Sequence, residues 1–220
     1  MNDSVFEKVI VHDLATTGDY EVLKRLSVGK KCVFEFGSFI GGSAVAMLPQ
    51  IKEAGGRLYC VDHFLGNQDD PHTKAVPRDL MVATLLQRID PCRDIVTVLI
   101  GETKEALLFP TGIADMVFID ASHSYKAVVA DIRVALHLIK GGGIVCGHDY
   151  IKHYEDCDKK LLEEYANTPD GGYGGVGYGV IKAVHDFFGR PQHEAAVWWV
   201  TIHKGGSSKL LAHCKEPILV

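Results

Sequence analysis

Apolar residues fall into two patterns along this chain: short continuous runs bounded by glycine or charge, and longer stretches in which they recur every three or four positions. The first pattern predicts buried strands and the second amphipathic helices. Val33-Phe34-Glu35-Phe36 is the first strand; Gly37 to Ser43 turns the backbone, Ala44 to Ala54 forms an apolar helix, and Arg57 to Val61 is the next strand, closed by Asp62. Spacing at Leu80, Met81, Thr84, Leu85 and Ile89 predicts a helix over Arg78 to Ile89, and Ile95 to Ile100 a third strand. Lys104 to Leu108 starts another helix. Met116 to Ile119 is the fourth strand and ends in Asp120. A helix follows with Val128, Val129, Ile132, Leu136 and Ile139 on its apolar face and Ser124 as N-cap. Gly141-Gly142-Gly143 ends that helix, Ile144 to Cys146 is the fifth strand, and Gly147-His148-Asp149-Tyr150 lies at its tip.

The two ends read differently. Val5 to Leu14 and Asp19 to Leu26 have helical spacing, with Thr16-Thr17-Gly18-Asp19 as turn and N-cap between them, so residues 1–30 form a helical cap on the sheet edge or the ligand. Beyond Tyr150 comes a charged helical insert, His153 to Ala166, and then Gly171 to Gly179, in which six of nine residues are glycine. That composition suits a substrate-covering segment over 151–179, with a plain flexible linker as the competing reading. Val180 to Phe188 is helical, Ala196 to Ile202 is a strand, and Lys209 to His213 is a final strand after the Gly205-Gly206-Ser207-Ser208 turn, so that a hairpin completes the sheet. Trp198 and Trp199 are adjacent in a strand and therefore face opposite sides.

Alternation of strands and helices gives an α/β domain, a Rossmann-like three-layer sandwich with a seven-stranded, mostly parallel sheet and an antiparallel last strand. At 220 residues and 47% hydrophobic, the chain makes one domain, 1–220. A net charge of −5 and no lysine or arginine run longer than two argue against nucleic-acid or anionic-membrane partners and for small molecules. Six cysteines without a C-x-x-C pair imply a reducing, cytoplasmic setting. The N-terminus has neither the basic region and apolar core of a signal peptide nor a membrane span. Homo-oligomerisation is left open.

Candidate chemistry collects where strands end, since ligands of open α/β sheets bind beyond the carboxyl ends of the strands. The Gly37 to Ser43 turn, with Gly41 and Gly42, brings backbone close to a ligand at a helix N-terminus. Asp62 reaches a ribose diol, and Gly101-Glu102-Thr103 ends the third strand where an adenine could lie. The G-x-G-x-x-G dinucleotide fingerprint is absent, which disfavours a nicotinamide-dependent oxidoreductase. Glu35 fits a cationic ligand such as the sulfonium and amino group of S-adenosylmethionine, or else it is a hydrogen-bonded acid holding the loop. Asp120, His123, His148 and Asp149 should be neighbours. Two carboxylates with imidazole suit a divalent cation; carboxylates favour magnesium, calcium or manganese, and imidazole tolerates zinc, iron or nickel. A metal-free hydrogen-bonded cluster is the alternative. His63, His72 and Glu102 read by themselves as solvated loop residues.

The motifs Val33-Phe34-Glu35-Phe36-Gly37-Ser38-x-x-Gly41-Gly42-Ser43, Val61-Asp62, Phe118-Ile119-Asp120-x-x-His123-x-Tyr125 and Gly142-Gly143-Ile144 through Gly147-His148-Asp149-Tyr150 span residues 31–150. In them the chain resembles class I S-adenosylmethionine-dependent methyltransferases, specifically O-methyltransferases related to the catechol and macrolide-sugar enzymes. The resemblance implies that Glu35, Gly37 and Ser38 contact the methionine part, Asp62 the ribose, and Gly101 with Thr103 the adenine side; Gly41, Ser43, His63 and Asp120 complete the expected contacts. It also implies a magnesium or manganese ion on Asp120, His148 and Asp149, where catechol-type relatives have Asp-Asn in place of His148-Asp149. Those relatives carry a lysine base three residues after the first metal-binding aspartate, and His123 stands there. The expected function is methyl transfer to a hydroxyl of a small molecule, with Asp120, His123 and His148 catalytic; a non-catalytic S-adenosylmethionine binder is the alternative.

Overall fold

The computed structural model describes residues 15–66, 76–168 and 171–203. The expected helix Val5 to Leu14 and strand Lys209 to His213 lie outside them. Helix α1, Thr17–Ser27, opens with a capping box: Asp19 N donates to the Thr16 hydroxyl at 3.4 Å, and the Asp19 carboxylate accepts from Thr16 N at 2.7 Å. Strand β1 (Cys32–Phe36) leads through the glycine turn into α2 (Gly42–Glu53), and β2 (Arg57–Asp62) follows. Helix α3 (Arg78–Ile89) and a 3-10 segment (Asp90–Ile95) precede β3 (Val96–Ile100). A second 3-10 segment, Thr103–Leu108, stands where a helix was expected to begin. Strand β4 (Ala114–Ile119) is followed by α4 (Tyr125–Leu138), β5 (Ile139–Gly147), α5 (Lys159–Tyr165), α6 (Tyr178–Phe188), β6 (Gln192–Glu194) and β7 (Val197–Thr201).

The seven strands lie in the order β3-β2-β1-β4-β5-β7-β6, with the first five parallel and β7 antiparallel to both neighbours. Strand order reverses between β1 and β4, so the crevice beyond their carboxyl ends is the switch point of the fold. Strand alternation divides the core in two. Phe34, Phe36, Val117, Ile119 and Val145 pack with α4 and α6 on one face, and Val33, Leu58, Cys60, Met116 and Phe118 with α1, α2 and α3 on the other. Trp198 is buried in the first layer and Trp199 packs on the second, as adjacency in a strand requires. Among the described residues no helix is long and apolar enough to cross a membrane.

Three boundaries differ from expectation for local reasons. The glycine run does not end α4; β5 already begins at Ile139 and carries Gly141-Gly142-Gly143 through a register shift against β4. Gly142 takes φ +86°, and its N–H donates to Ile202 O at 2.6 Å, so the glycines make a bulge in a paired strand. The hairpin partner of β7 is Gln192–Glu194, a three-residue polar strand with no hydrophobic alternation to announce it. Finally, the insert is a 3-10 turn (Tyr154–Asp156) and the short α5, whose N-cap Asp158 accepts from Lys160 N and Leu161 N.

The glycine-rich segment is packed. Tyr173 and Val176 close a turn by reciprocal hydrogen bonds, and Gly179 N donates to Gly171 O at 2.7 Å. A Cβ on Gly171 or Gly179 would lie 1.9 or 2.1 Å from His123 O, and one on Gly177 2.6 Å from Asp149 O. These glycines let the segment press directly on the backbone at the tips of β4 and β5.

Candidate active site

The turn after β1 is built around a buried acid. Glu35 is fully buried; its Oε2 accepts from Ser38 Oγ and its Oε1 from Ser43 Oγ, both at 2.6 Å. Burial pushes its carboxyl up to about 7 against the opposing effect of the two serines. Both oxygens are thus used within the protein, the geometry of an acid that ties the loop from beneath. Gly37 takes φ +84° and donates to Val61 O at 2.9 Å, and its missing Cβ would sit 2.0 Å from Asp120 O. The loop after β1 therefore lies against the backbone after β4, and Asp120 N completes the contact by donating to Phe36 O at 2.8 Å. Gly41, at φ +85°, starts α2 without a side-chain cap.

Asp62 closes β2 and organises the neighbouring turns, accepting from Phe39 N at 2.8 Å and Phe64 N at 2.6 Å. Gly101 N donates to Asp62 O at 3.0 Å, which brings the end of β3 alongside. Glu35, Gly37, Ser38, Gly41, Ser43, Asp62 and Gly101 therefore form one contiguous ledge over β1, β2 and β3. His63 sits beside it, its Nδ1 accepting from Leu65 N at 3.0 Å. Thr103 turns elsewhere: its hydroxyl bonds the Asp131 carboxyl, which burial in α4 pushes up to about 7.

Past the Gly37–Asp120 contact lies the charged group. His123 Nε2 is 3.0 Å from Asp149 Oδ2 and 4.0 Å from Asp120 Oδ1; His148 Nδ1 is 3.8 Å from Asp120 Oδ1 and 3.5 Å from Asp149 Oδ2. The four residues expected to meet do meet. Ligand atoms of Asp120, His123 and Asp149 lie within 4.8 Å of one another, and His148 Nδ1 faces the same two carboxylates. Asp149 is held at φ +60°, a strained value for a non-glycine residue of the kind that gathers at functional sites.

Electrostatics within the group are mutual. Burial opposes charge on His123, but Asp149 and then Asp120 outweigh it and raise the ring to about 9. Burial likewise opposes charge on His148, and Asp120, Asp149 and Asp19 raise it to about 11. Asp120 is pushed up to about 6, by burial first and the Asp149 charge next, against the two imidazoles; Asp149, despite burial, is held far below the carboxylate range by His123 and His148.

One member escaped the sequence reading. Asp19, in the first turn of α1, is 1% exposed and brings Oδ2 to 3.4 Å from His148 Nε2. The Thr16-x-x-Asp19 spacing signals a capping box. Nothing in that spacing says that the acid is buried against a residue 129 positions away.

Fold and site together define an α/β protein with a glycine-turned ledge and an acid–imidazole cluster at the switch point of its sheet. Residues 34–150 match the methyltransferase domain family, and the chain belongs to it. No curated protein sequence matches the chain. Among solved structures it is similar to the O-methyltransferase from Bacillus cereus in complex with S-adenosylhomocysteine, at 17% identity and TM-score 0.57, covering 91% of this chain and 92% of that one. It is also similar to the O-methyltransferase TomG from Streptomyces achromogenes, involved in tomaymycin synthesis and in complex with S-adenosylmethionine, at 17% identity and TM-score 0.56, covering 87% and 83%. At these identities the likeness is one of fold.

Proposed function

We propose that the chain moves the methyl group of S-adenosylmethionine to a hydroxyl of a small molecule, with His123 as the base. The observation that carries this reading is the Gly37–Asp120 contact, which sets the ledge for a nucleoside cofactor directly against an acid–imidazole cluster able to take a proton. The ledge fits such a cofactor: α2 starts without a side-chain cap, and Asp62 stands at the end of β2. When bound, the cofactor supplies an electrophilic methyl on a sulfonium. Asp62 would hold the ribose hydroxyls, the Glu35-tied loop the methionine part, and Gly101 the adenine side.

His123 donates its Nε2–H to Asp149 at 3.0 Å, so it would take the hydroxyl proton on Nδ1, and Asp149 and Asp120 would stabilise the imidazolium that results. Asp120, Asp149 and His148 would hold a divalent cation, a donor set of two carboxylates and an imidazole that suits manganese better than magnesium, which favours oxygen. Such a cation would supply extra acidity and orientation to the acceptor hydroxyl.

Calorimetry with S-adenosylmethionine and S-adenosylhomocysteine tests the cofactor. Binding is expected, and Asp62→Ala should weaken it by about 1–3 kcal/mol through loss of charge-assisted hydrogen bonds; no heat with either compound refutes the reading. Anomalous scattering from manganese-soaked crystals tests the cation. A peak between Asp120 and Asp149 is expected, whereas a flat map together with activity indifferent to chelator would leave the group as a cation-free base cluster.

A further inference from the structure

Asp19 is costly to place where it is. A capping acid needs only the N–H of its N-cap and normally stays in water, whereas Asp19 is 1% exposed, and a buried carboxylate is tolerated only when its lone pairs are filled. They are filled from two distant parts of the chain. Oδ2 accepts from Thr16 N and Thr16 Oγ1, both at 2.7 Å, and Oδ1 accepts from Ala196 N at 2.9 Å. Ala196 follows Ala195, held at φ +51° in the tight β6–β7 turn, and its carbonyl accepts from Tyr150 N at 3.0 Å, the residue after Asp149. This turn therefore clamps Asp19 and the tip of β5 together.

What the clamped carboxylate faces is His148 Nε2, an ion-pair approach of 3.4 Å to a buried ring nitrogen that is not aligned as a hydrogen bond to any group among the described residues, while the other nitrogen of the same ring faces Asp120 at 3.8 Å and Asp149 at 3.5 Å. The two nitrogens of an imidazole are not equivalent, and a carboxylate beside one of them decides which is turned to a site. We propose that Asp19 is a positioning residue for the reaction: it anchors the Nε2–H edge of His148 to α1, so that Nδ1 is the atom presented to Asp120 and Asp149. This rests on the site proposed above, and it makes the segment before β1 part of that site rather than a cover over it.

The test compares Asp19→Asn with Thr16→Ala, which weakens the cap but leaves the Asp19–His148 pair. Proton–nitrogen spectra of histidine-labelled protein, assigned with His148→Gln, should show a slowly exchanging His148 Nε2–H in the wild type and in Thr16→Ala, and its loss in Asp19→Asn. With a working acceptor, kcat should fall roughly 10–100-fold in Asp19→Asn, the usual cost of losing such a supporting partner, at unchanged KM for S-adenosylmethionine, and stay near wild type in Thr16→Ala. Absence of a protected Nε2–H from the wild type overturns the proposal even if Asp19→Asn cannot be folded. So does an Asp19→Asn protein that matches Thr16→Ala in both spectrum and kcat, for Asp19 is then a cap alone. The spectra need no turnover, so an inactive wild type would count against the methyl-transfer reading and not against this one.

Discussion

Replacing His123 with alanine is expected to lower kcat by roughly 10²–10⁴-fold, the usual worth of a positioned base, with cofactor affinity unchanged. The ring lies 3.0 Å from Asp149 Oδ2 and borders the pocket formed with Asp120, Ser122 and Val180, so it is placed both to take a proton and to have its charge stabilised. The same carboxylate makes the base reluctant. With the ring raised to about 9, only about 1% of it is neutral at pH 7, and only the neutral form accepts a proton. In cation-free enzyme kcat should therefore rise about tenfold per pH unit and level off near pH 9. Asp149→Asn removes the largest raising influence, so the limb should move to lower pH and the neutral fraction at pH 7 should grow. Titration of His123 by nuclear magnetic resonance in chelator-treated protein checks the shift without an acceptor. A His123→Ala enzyme with near-normal kcat and an unchanged pH limb would transfer the role to His148.

That tension between base and counter-charge was not legible in the sequence, although its participants were. Asp120, His123, His148 and Asp149 could be placed at one edge because each follows a strand, and parallel strands end at the same side. Their pairing could not, because it turns on side-chain directions: Asp149 at φ +60° aims its carboxylate at both imidazoles, and no spacing rule yields that angle. Asp19 was missed for a related reason. Local reading recognises a cap, whereas the burial of that cap depends on Ala196, which is 177 residues distant.

The glycines show the same division. A turn rich in glycine after β1 predicts special backbone close to a ligand, and the left-handed angles at Gly37 and Gly41 agree with the need for special backbone. What Gly37 touches, however, is the protein itself. The composition of 171–179 suits a substrate-covering segment or a plain linker, and it carries no sign that three of its glycines lie against His123 and Asp149, where two backbones could not otherwise approach so closely. Sequence composition cannot distinguish glycine used for freedom from glycine used for contact. Strand β6, with Gln192, His193 and Glu194, was invisible for the opposite reason: its pairing with β7 is made by backbone, and its side chains carry no pattern.

Gly37→Ala separates those two uses of glycine and is expected to be strongly destabilising. A non-glycine residue at φ +84° costs about 1–2 kcal/mol, and a Cβ 2.0 Å from Asp120 O and 2.7 Å from Ala121 Cα adds an overpacking cost of about 1–3 kcal/mol, because backbone must move. The sum, about 2–5 kcal/mol, is a large share of the roughly 5–15 kcal/mol that holds a domain folded. Gly142→Ala is the matched control, since Gly142 has nearly the same angle, φ +86°, and nothing within 4 Å of its Cβ position; it should lose only the conformational part. Urea unfolding midpoints at unchanged m-value give both numbers. The clash also bears on function. Relieving it pushes the loop away from the Asp120 backbone and with it a carboxylate 3.8 Å from His148 and 4.0 Å from His123, so kcat should fall in Gly37→Ala and hold in Gly142→Ala. Equal losses of stability in the two variants would mean that the β1 loop and the end of β4 yield freely, and that Gly37 is glycine for its angle alone.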